Sequence, residues 1–283
     1  MKFDTPNFHD CRELYRSMAG KPVWIAGSDP SLSHYPDSFF DEKCAITLHL
    51  SHVKFPKATF RYSSEPDRSR YLLEKTPEYA NVPLLAAYPL YGVSKRETRE
   101  ILTPCKEVYF HRMYSYPPHG VRGDIDESYT RFKVLQTLKN RAHVWGGHGS
   151  CLHTCIYMAL LLGASEIHLI GCGHNLYTEN GQEHFAAVEG DHHAMRPGYR
   201  SFSDPVENSA LIEQTRLFQK ICEENGIPFL WHRKYTPAMD EFIDVSDEWL
   251  AHQKQLAKRK FPLIKVLYRK LVKNPLYSII TRL

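Results

Sequence analysis

The stretch that most constrains the fold of this chain spans residues 145–177, where polar turns alternate with apolar segments. A glycine-rich turn at residues 146–150 leads into apolar residues at helical spacing, which stop at Gly163. Residues 166–170 then predict a buried strand, and a polar loop at residues 171–177 follows it. A helix that leads into a buried strand is the repeating unit of α/β proteins. The stretch therefore predicts an α/β sheet with a polar loop at both joints of this unit.

Both loops lie where such sheets bind ligands. The free backbone N–H groups at a helix N-terminus suit an anion such as phosphate, which makes Gly149 and Ser150 candidate contacts. Ligands also bind outside the carboxyl ends of parallel strands, which adds the second loop with Gly171 and Asn175. A glycine-rich turn can equally be a tight connection alone. We favour a ligand site because the second loop accompanies it.

A second candidate for ligand binding follows the first predicted strand, residues 22–26. This strand runs into residues 27–32, a glycine followed by small polar residues and proline, which is typical of the first turn between strand and helix in a doubly wound sheet. The full dinucleotide fingerprint is absent, so NAD is not predicted. The next strand, residues 44–50, carries His49 at its polar end, and His49 and nearby His52 are either site or structural residues.

The rest of the chain body continues the alternation of strands and helices. We predict a Rossmann-like three-layer α/β sandwich with a mostly parallel sheet, formed by residues 1–248. Residues 113–127 have no period and are predicted to be a long surface excursion, either a lid or a disordered insert. Further strands are predicted at 82–88, 107–111 and 227–231, and helices at 8–18, 94–102, 129–140 and 204–225. Residues 54–81 are left unassigned apart from a candidate helix at 67–74.

The charge of the chain is concentrated at its C-terminal end. The net charge is +4, yet residues 249–283 hold nine Lys or Arg and no Asp or Glu, which leaves 27 basic and 32 acidic residues elsewhere. A mildly acidic body does not fit a nucleic-acid-binding protein. From Pro262 onward the spacing predicts a basic amphipathic helix. It is expected either to place residues 254–283 on the inner-membrane surface or to pack on the body.

The sequence also bounds the compartment and the metal chemistry. We expect a cytoplasmic protein because no apolar run of signal-peptide or membrane-spanning length is present. The basic C-terminal segment would attach it peripherally to the membrane. The seven cysteines form no CxxC pair, and Cys151 and Cys155, one helical turn apart, are predicted to be core thiols. The adjacent His192 and His193 cannot easily share one ion, so no metal site is predicted.

Four short motifs of this chain resemble those of one bacterial and archaeal group of proteins. The motifs are I-A-G-x-x-P-S-L at residues 25–32, G-S before a helix rich in alanine and leucine, L-G-A-x-E-I-x-L-I-G at residues 162–171, and a loop that ends in tyrosine and N-G. The group comprises lipooligosaccharide sialyltransferases, motility-accessory-factor glycosyltransferases and 6-hydroxymethylpterin diphosphokinases. The resemblance covers residues 22–232. It implies a sialyltransferase-like enzyme of lipopolysaccharide biosynthesis that moves a sugar from a nucleotide-sugar donor, such as a CMP-linked one, to a glycan or lipid-linked acceptor without a cofactor.

The resemblance also implies roles for individual residues. The sialyltransferases hold the donor with a G-N-G-P-S-L loop, whose asparagine and second glycine are replaced here by serine and aspartate. The group's serine at the start of the central helix matches Ser150, and its loop tyrosine matches Tyr177, both near the donor phosphate and ribose. The donor loop falls on Gly27, Ser28, Asp29, Pro30, Ser31 and Leu32.

The general base is where this chain departs from the group. The sialyltransferases carry a G-H-S step just before the helix that here starts near Asp204, and this chain has Arg-Ser-Phe-Ser at residues 200–203 instead. The base is then His184, His192 or His193, in a polar segment where histidine can accept a proton near neutral pH. Two alternatives stay open. One is a diphosphokinase with Mg²⁺, which Asp29 would suit, and the other is a non-catalytic nucleotide-sugar-binding or assembly protein. A homo-oligomer is compatible with each of these functions.

Overall fold

The computed structural model describes residues 4–112, 127–139, 150–173 and 205–252, with the side chains of residues 205–210 left aside. Within these ranges eight strands form one sheet, and six α helices accompany it. The strands are β1 (Phe8–Asp10), β2 (Pro22–Ala26), β3 (Cys44–Leu48), β4 (Phe60–Ser63), β5 (Leu84–Tyr88), β6 (Val108–Arg112), β7 (Glu166–Ile170) and β8 (Phe229–Trp231). The helices are α1 (Ser51–Lys54), α2 (Pro66–Lys75), α3 (Lys95–Leu102), α4 (Glu127–Leu138), α5 (Cys151–Leu162) and α6 (Pro205–Glu224).

The order of the strands contains one reversal of direction. The sheet runs β1-β6-β5-β4-β3-β2-β7-β8, and every pair of neighbours is parallel. From β2 to β6 each strand is added on the same side, and the chain then returns to place β7 and β8 on the other side of β2. The topological switch point of the sheet therefore lies between β2 and β7, where doubly wound folds open a crevice for ligands.

Helices cover both faces of the sheet. Val23, Ile25 and Leu169 point to one face and share a core cluster with the buried residues of α5 and α6. Trp24 and Ala26 point to the opposite face, which is covered by α1 to α3 and by short 3-10 helices. The predicted three-layer α/β sandwich is confirmed, and within the described residues its sheet is entirely parallel rather than mostly so.

Helix α5 forms the centre of one layer because almost every residue in it is apolar. It packs on β2, β3 and β4 on one side and on α4 and α6 on the other, so that ten of the eleven residues after Cys151 are buried to at least 97%. The Ser150 hydroxyl caps its N-terminus by accepting the Leu152 N–H at 3.2 Å. Gly163 ends the helix with φ +82°, in the left-handed region that glycine adopts at low cost.

One predicted helix was wrong, and one strand was not predicted. Residues 8–18 form strand β1 and a single 3-10 turn, Cys11–Leu14, rather than a helix. Asp10 and Glu13 form a capping box at the start of the turn, but the backbone leaves helical geometry at Tyr15, and Arg16 has φ +58°. Strand β4 was missed because Arg61 interrupts its apolar pattern, although this side chain is fully buried.

Nothing in the described ranges is a helix long and apolar enough to cross a bilayer. The predicted excursion at residues 113–127 falls almost wholly outside these ranges, as does the C-terminal segment 254–283.

Candidate functional site

The loops that follow β2 and β7 are in direct backbone contact at the switch point. The Gly27 N–H donates to the Ile170 carbonyl and the Asp29 N–H to the Gly171 carbonyl, both at 2.9 Å. A Cβ atom on Gly27 would lie 2.1 Å from the Gly171 carbonyl oxygen, which leaves no room for a side chain. Gly171 has φ +57°, and its Cβ would lie 2.5 Å from Leu32 Cγ. Both glycines are therefore required for this contact.

The first loop offers one polar side chain at its surface. The carboxylate of Asp29 is buried and accepts the Ser31 N–H at 2.8 Å, which caps the 3-10 helix Pro30–His34. Ser28 alone in residues 27–32 is half-buried, whereas its five neighbours are buried. Asp29, Pro30 and Ser31 thus shape the loop, and Ser28 is the residue best placed to meet a ligand there.

The N-terminus of α5 lies on the same edge of the sheet. Its first residue, Cys151, contacts the segments that follow β3 and β4, which places Ser150 two strands from the switch point, a distance of ~10 Å. Ser150 is half-buried, and its hydroxyl, while accepting the Leu152 N–H, retains a proton to donate. The positive end of the α5 dipole adds to the attraction for an anion.

His49 lies beside Ser150 rather than beside the first loop. It follows β3 in a left-handed conformation with φ +47° and is 6% exposed. Its Nε2 atom lies 3.1 Å from Cys151 Sγ, and the Ser64 hydroxyl lies 3.1 Å from the same sulfur. The structure therefore brings His49 to the carboxyl edge, as predicted, but in contact with a thiol.

The sequence predicted Cys151 to be a core thiol, like Cys155, and it missed Ser64 and Glu65 at this edge. Cys155 is fully buried in the core, whereas Cys151 is half-buried among polar groups. The position of Cys151 directly after the helix cap was the available signal, because that end of a helix faces the ligand edge. Glu65 was missed because strand β4, which ends at Ser63, was not predicted.

The electrostatics around Cys151 disfavour a free thiolate. Burial raises the pKa of Cys151 to about 12, and the negative charge of Glu65 acts in the same direction. A nucleophilic cysteine needs the opposite shift, so the surroundings of Cys151 do not favour a nucleophile of the kind found in cysteine proteases. The Glu65 carboxylate is in turn held by Arg68, whose Nε lies 3.2 Å from Oε2.

Other predicted site residues do not join this edge within the described ranges. His52 is fully buried against Tyr79, with ring centroids 5.1 Å apart, so of its two interpretations the structural one is confirmed. The remaining predicted contacts lie outside the described residues, namely His184, His192, His193, Gly149, Asn175 and Tyr177.

Comparison with solved structures gives a loose structural likeness. No protein-family model matches the chain, and no curated protein sequence does. Among solved structures, the chain is similar to the sialyltransferase CstII from Campylobacter jejuni in complex with a substrate analogue, cytidine-5'-monophosphate. The sequences are 14% identical, and the match covers 83% of this chain and 97% of that chain with a TM-score of 0.36. A likeness this loose carries no argument, and the description of the fold rests on the strand order and contacts given above.

Proposed function

We propose that this protein is a sialyltransferase-like glycosyltransferase that takes a sugar from a nucleotide-sugar donor. The observation that carries the proposal is the meeting of the β2 and β7 loops at the switch point, with the capped N-terminus of α5 on the same edge. Crevices at this position are where doubly wound sheets bind nucleotides. Two of the sequence motifs that resemble the sialyltransferase group, at residues 25–32 and 162–171, include the contacting residues Gly27 and Gly171.

The geometry suits a donor whose sugar is linked through a phosphate group. The α5 N-terminus provides backbone N–H groups and a hydroxyl for the phosphate, and Ser28 provides a second polar contact about two strands away. Gly149, Gly171, Asn175 and Tyr177 complete the proposed donor contacts. A CMP-linked donor is the favoured one because it is the donor of the resembled sialyltransferases.

The diphosphokinase alternative loses its main support. That reading relied on Asp29 as a carboxylate able to hold Mg²⁺ near the phosphates. In the structure Asp29 is 8% exposed and caps a 3-10 helix through Ser31, which accounts for its presence. We therefore propose sugar transfer without a need for Mg²⁺.

A panel of nucleotides tests the donor site directly. Melting temperatures are measured with CMP, UDP, GDP and ATP side by side, each with and without Mg²⁺. We expect CMP to stabilise the protein most and Mg²⁺ to leave its effect unchanged, since binding to the folded state raises stability with ligand concentration. Stabilisation by ATP alone, and only with Mg²⁺, would instead support the diphosphokinase. No shift with any nucleotide would contradict the proposal.

Turnover of a nucleotide sugar tests the proposed base. An acceptor hydroxyl needs a base within hydrogen-bond reach, and we propose His184, His192 or His193 for this role. Substitution of the true base by alanine should lower turnover by about 10² to 10⁴ while donor binding persists. If all three variants, His184→Ala, His192→Ala and His193→Ala, keep turnover within tenfold of the unmodified protein, the base lies elsewhere.

We further propose that residues 254–283 bring the enzyme to the inner-membrane surface, where a lipid-linked acceptor would lie. Each basic residue near an anionic leaflet contributes ~1 kcal/mol. Sedimentation with anionic and neutral liposomes should pellet the full chain only with anionic lipid and at low salt. A chain ending at Gln253 should stay in solution. Equal pelleting of both chains would remove the membrane proposal.

A further inference from the structure

Three side chains from separate parts of the chain converge at the carboxyl edge of the sheet. His49 follows β3, Glu65 precedes α2, and Cys151 is the first residue of α5. One nitrogen, one carboxylate oxygen and one sulfur from these residues all lie within 4.8 Å of one another. The closest approach is 3.1 Å, between His49 Nε2 and Cys151 Sγ.

We propose that His49, Glu65 and Cys151 bind a zinc-type divalent metal ion. The donor set decides the class of metal. Mg²⁺ and Ca²⁺ take oxygen ligands almost exclusively, whereas imidazole together with a thiolate suits zinc and chemically similar ions such as Co²⁺. The proposal concerns metal binding, and it holds whether or not the protein transfers a sugar.

The spacing of the donors fits an ion after a small adjustment. Zinc lies about 2.3 Å from a thiolate sulfur and about 2.0–2.1 Å from an imidazole nitrogen, so a tetrahedral site separates these two ligands by ~3.6 Å. His49 Nε2 and Cys151 Sγ would move apart by ~0.5 Å to admit the ion. Three protein ligands would leave one tetrahedral position for water or a substrate oxygen, as in catalytic zinc sites.

Neighbouring groups hold two of the three ligands in place. The Ser64 hydroxyl lies 3.1 Å from Cys151 Sγ and can donate a hydrogen bond to a metal-bound thiolate. Arg68 Nε lies 3.2 Å from Glu65 Oε2, and this ion pair orients the carboxylate. His49 is fixed by its backbone, whose N–H donates to the Tyr62 carbonyl at 3.2 Å in the uncommon left-handed conformation. Such outer groups typically tune metal affinity by about tenfold to a hundredfold.

The test measures metal binding to the untagged full-length protein after treatment with a chelator. We expect one equivalent of Zn²⁺ to bind in competition with a fluorescent zinc indicator, and an excess of Mg²⁺ not to displace it. Co²⁺ should bind in the same place and give the near-ultraviolet charge-transfer band of a thiolate ligand. Zinc binding that Mg²⁺ displaces, or Co²⁺ binding without this band, would overturn the proposal.

Ligand variants locate the ion among the many cysteines and histidines of the chain. Cys151→Ser, Glu65→Gln and His49→Asn should each lower zinc affinity by at least tenfold, and asparagine tolerates the left-handed backbone of residue 49. Cys44→Ser, at another half-buried cysteine, is the matched control and should keep the affinity. Circular dichroism checks that each variant is folded. Unchanged affinity in folded Cys151→Ser or Glu65→Gln, or an equal loss in Cys44→Ser, would contradict the assignment.

Discussion

Burial determines the protonation state of a histidine beside the sheet. On the face of the sheet away from α5, His52 is fully buried near the guanidinium of Arg61. This guanidinium stacks on the Tyr79 ring at 3.5 Å, and Arg61 Nε donates to the Val82 carbonyl at 2.7 Å. Burial and the positive charge of Arg61 lower the pKa of His52 from 6.5 to about 4. This histidine is therefore neutral in the folded protein at neutral pH.

The depressed pKa of His52 predicts a pH dependence of stability. Between pH 6.5 and 4 the unfolded chain binds a proton at this histidine and the folded chain does not, so stability falls as the pH is lowered through this window. Urea unfolding from pH 7 to 4 should show a shallower loss in His52→Gln than in the unmodified protein, by up to ~1.4 kcal/mol per pH unit. The exposed His34→Gln is the control. An unchanged slope in His52→Gln would show that its pKa is not depressed.

At the scale of elements, sequence reasoning succeeded where the pattern is local and apolar. The bounds of β2 and β7 match the predicted strands, and α5 ends at the predicted glycine, because caps and apolar periodicity are written in consecutive residues. Strand β4 was not predicted because its buried Arg61 is stabilised by groups distant in sequence. The cluster of His49, Glu65 and Cys151 was not predicted either, because these residues are distant in sequence and only the sheet topology brings them together.

The contact between the β2 and β7 loops predicts an unequal response of two glycines. Gly171→Ala adds both left-handed strain, ~1–2 kcal/mol, and a clash with the buried Leu32, ~1–3 kcal/mol. Gly20 has φ +79° and open space around a Cβ, so Gly20→Ala adds the strain alone. Urea denaturation should therefore show a clearly larger loss of unfolding free energy for Gly171→Ala. Equal losses in the two variants would mean that the loop can move away from Leu32.

For the whole molecule, the strand order has the most direct functional consequence. The alternation of helix and strand predicted the α/β class, but the switch point between β2 and β7 depends on which strands are neighbours, and local sequence patterns do not reveal strand order. Within the described residues, members of the predicted loops lie at this edge, with Gly27 and Gly171 in contact and Ser150 two strands away. The order of strands thus joins separately predicted loops into one proposed donor site.

Calorimetric titration of the preferred nucleotide into Ser150→Asp tests this site most directly. Aspartate caps a helix about as well as serine, so the fold should keep its stability, but its negative charge would repel a phosphate at the α5 N-terminus. We predict at least a tenfold loss of affinity in Ser150→Asp. Ser94→Asp, which makes the same change at the cap of α3, should bind as the unmodified protein does. Full affinity in a folded Ser150→Asp protein would contradict the proposed donor site.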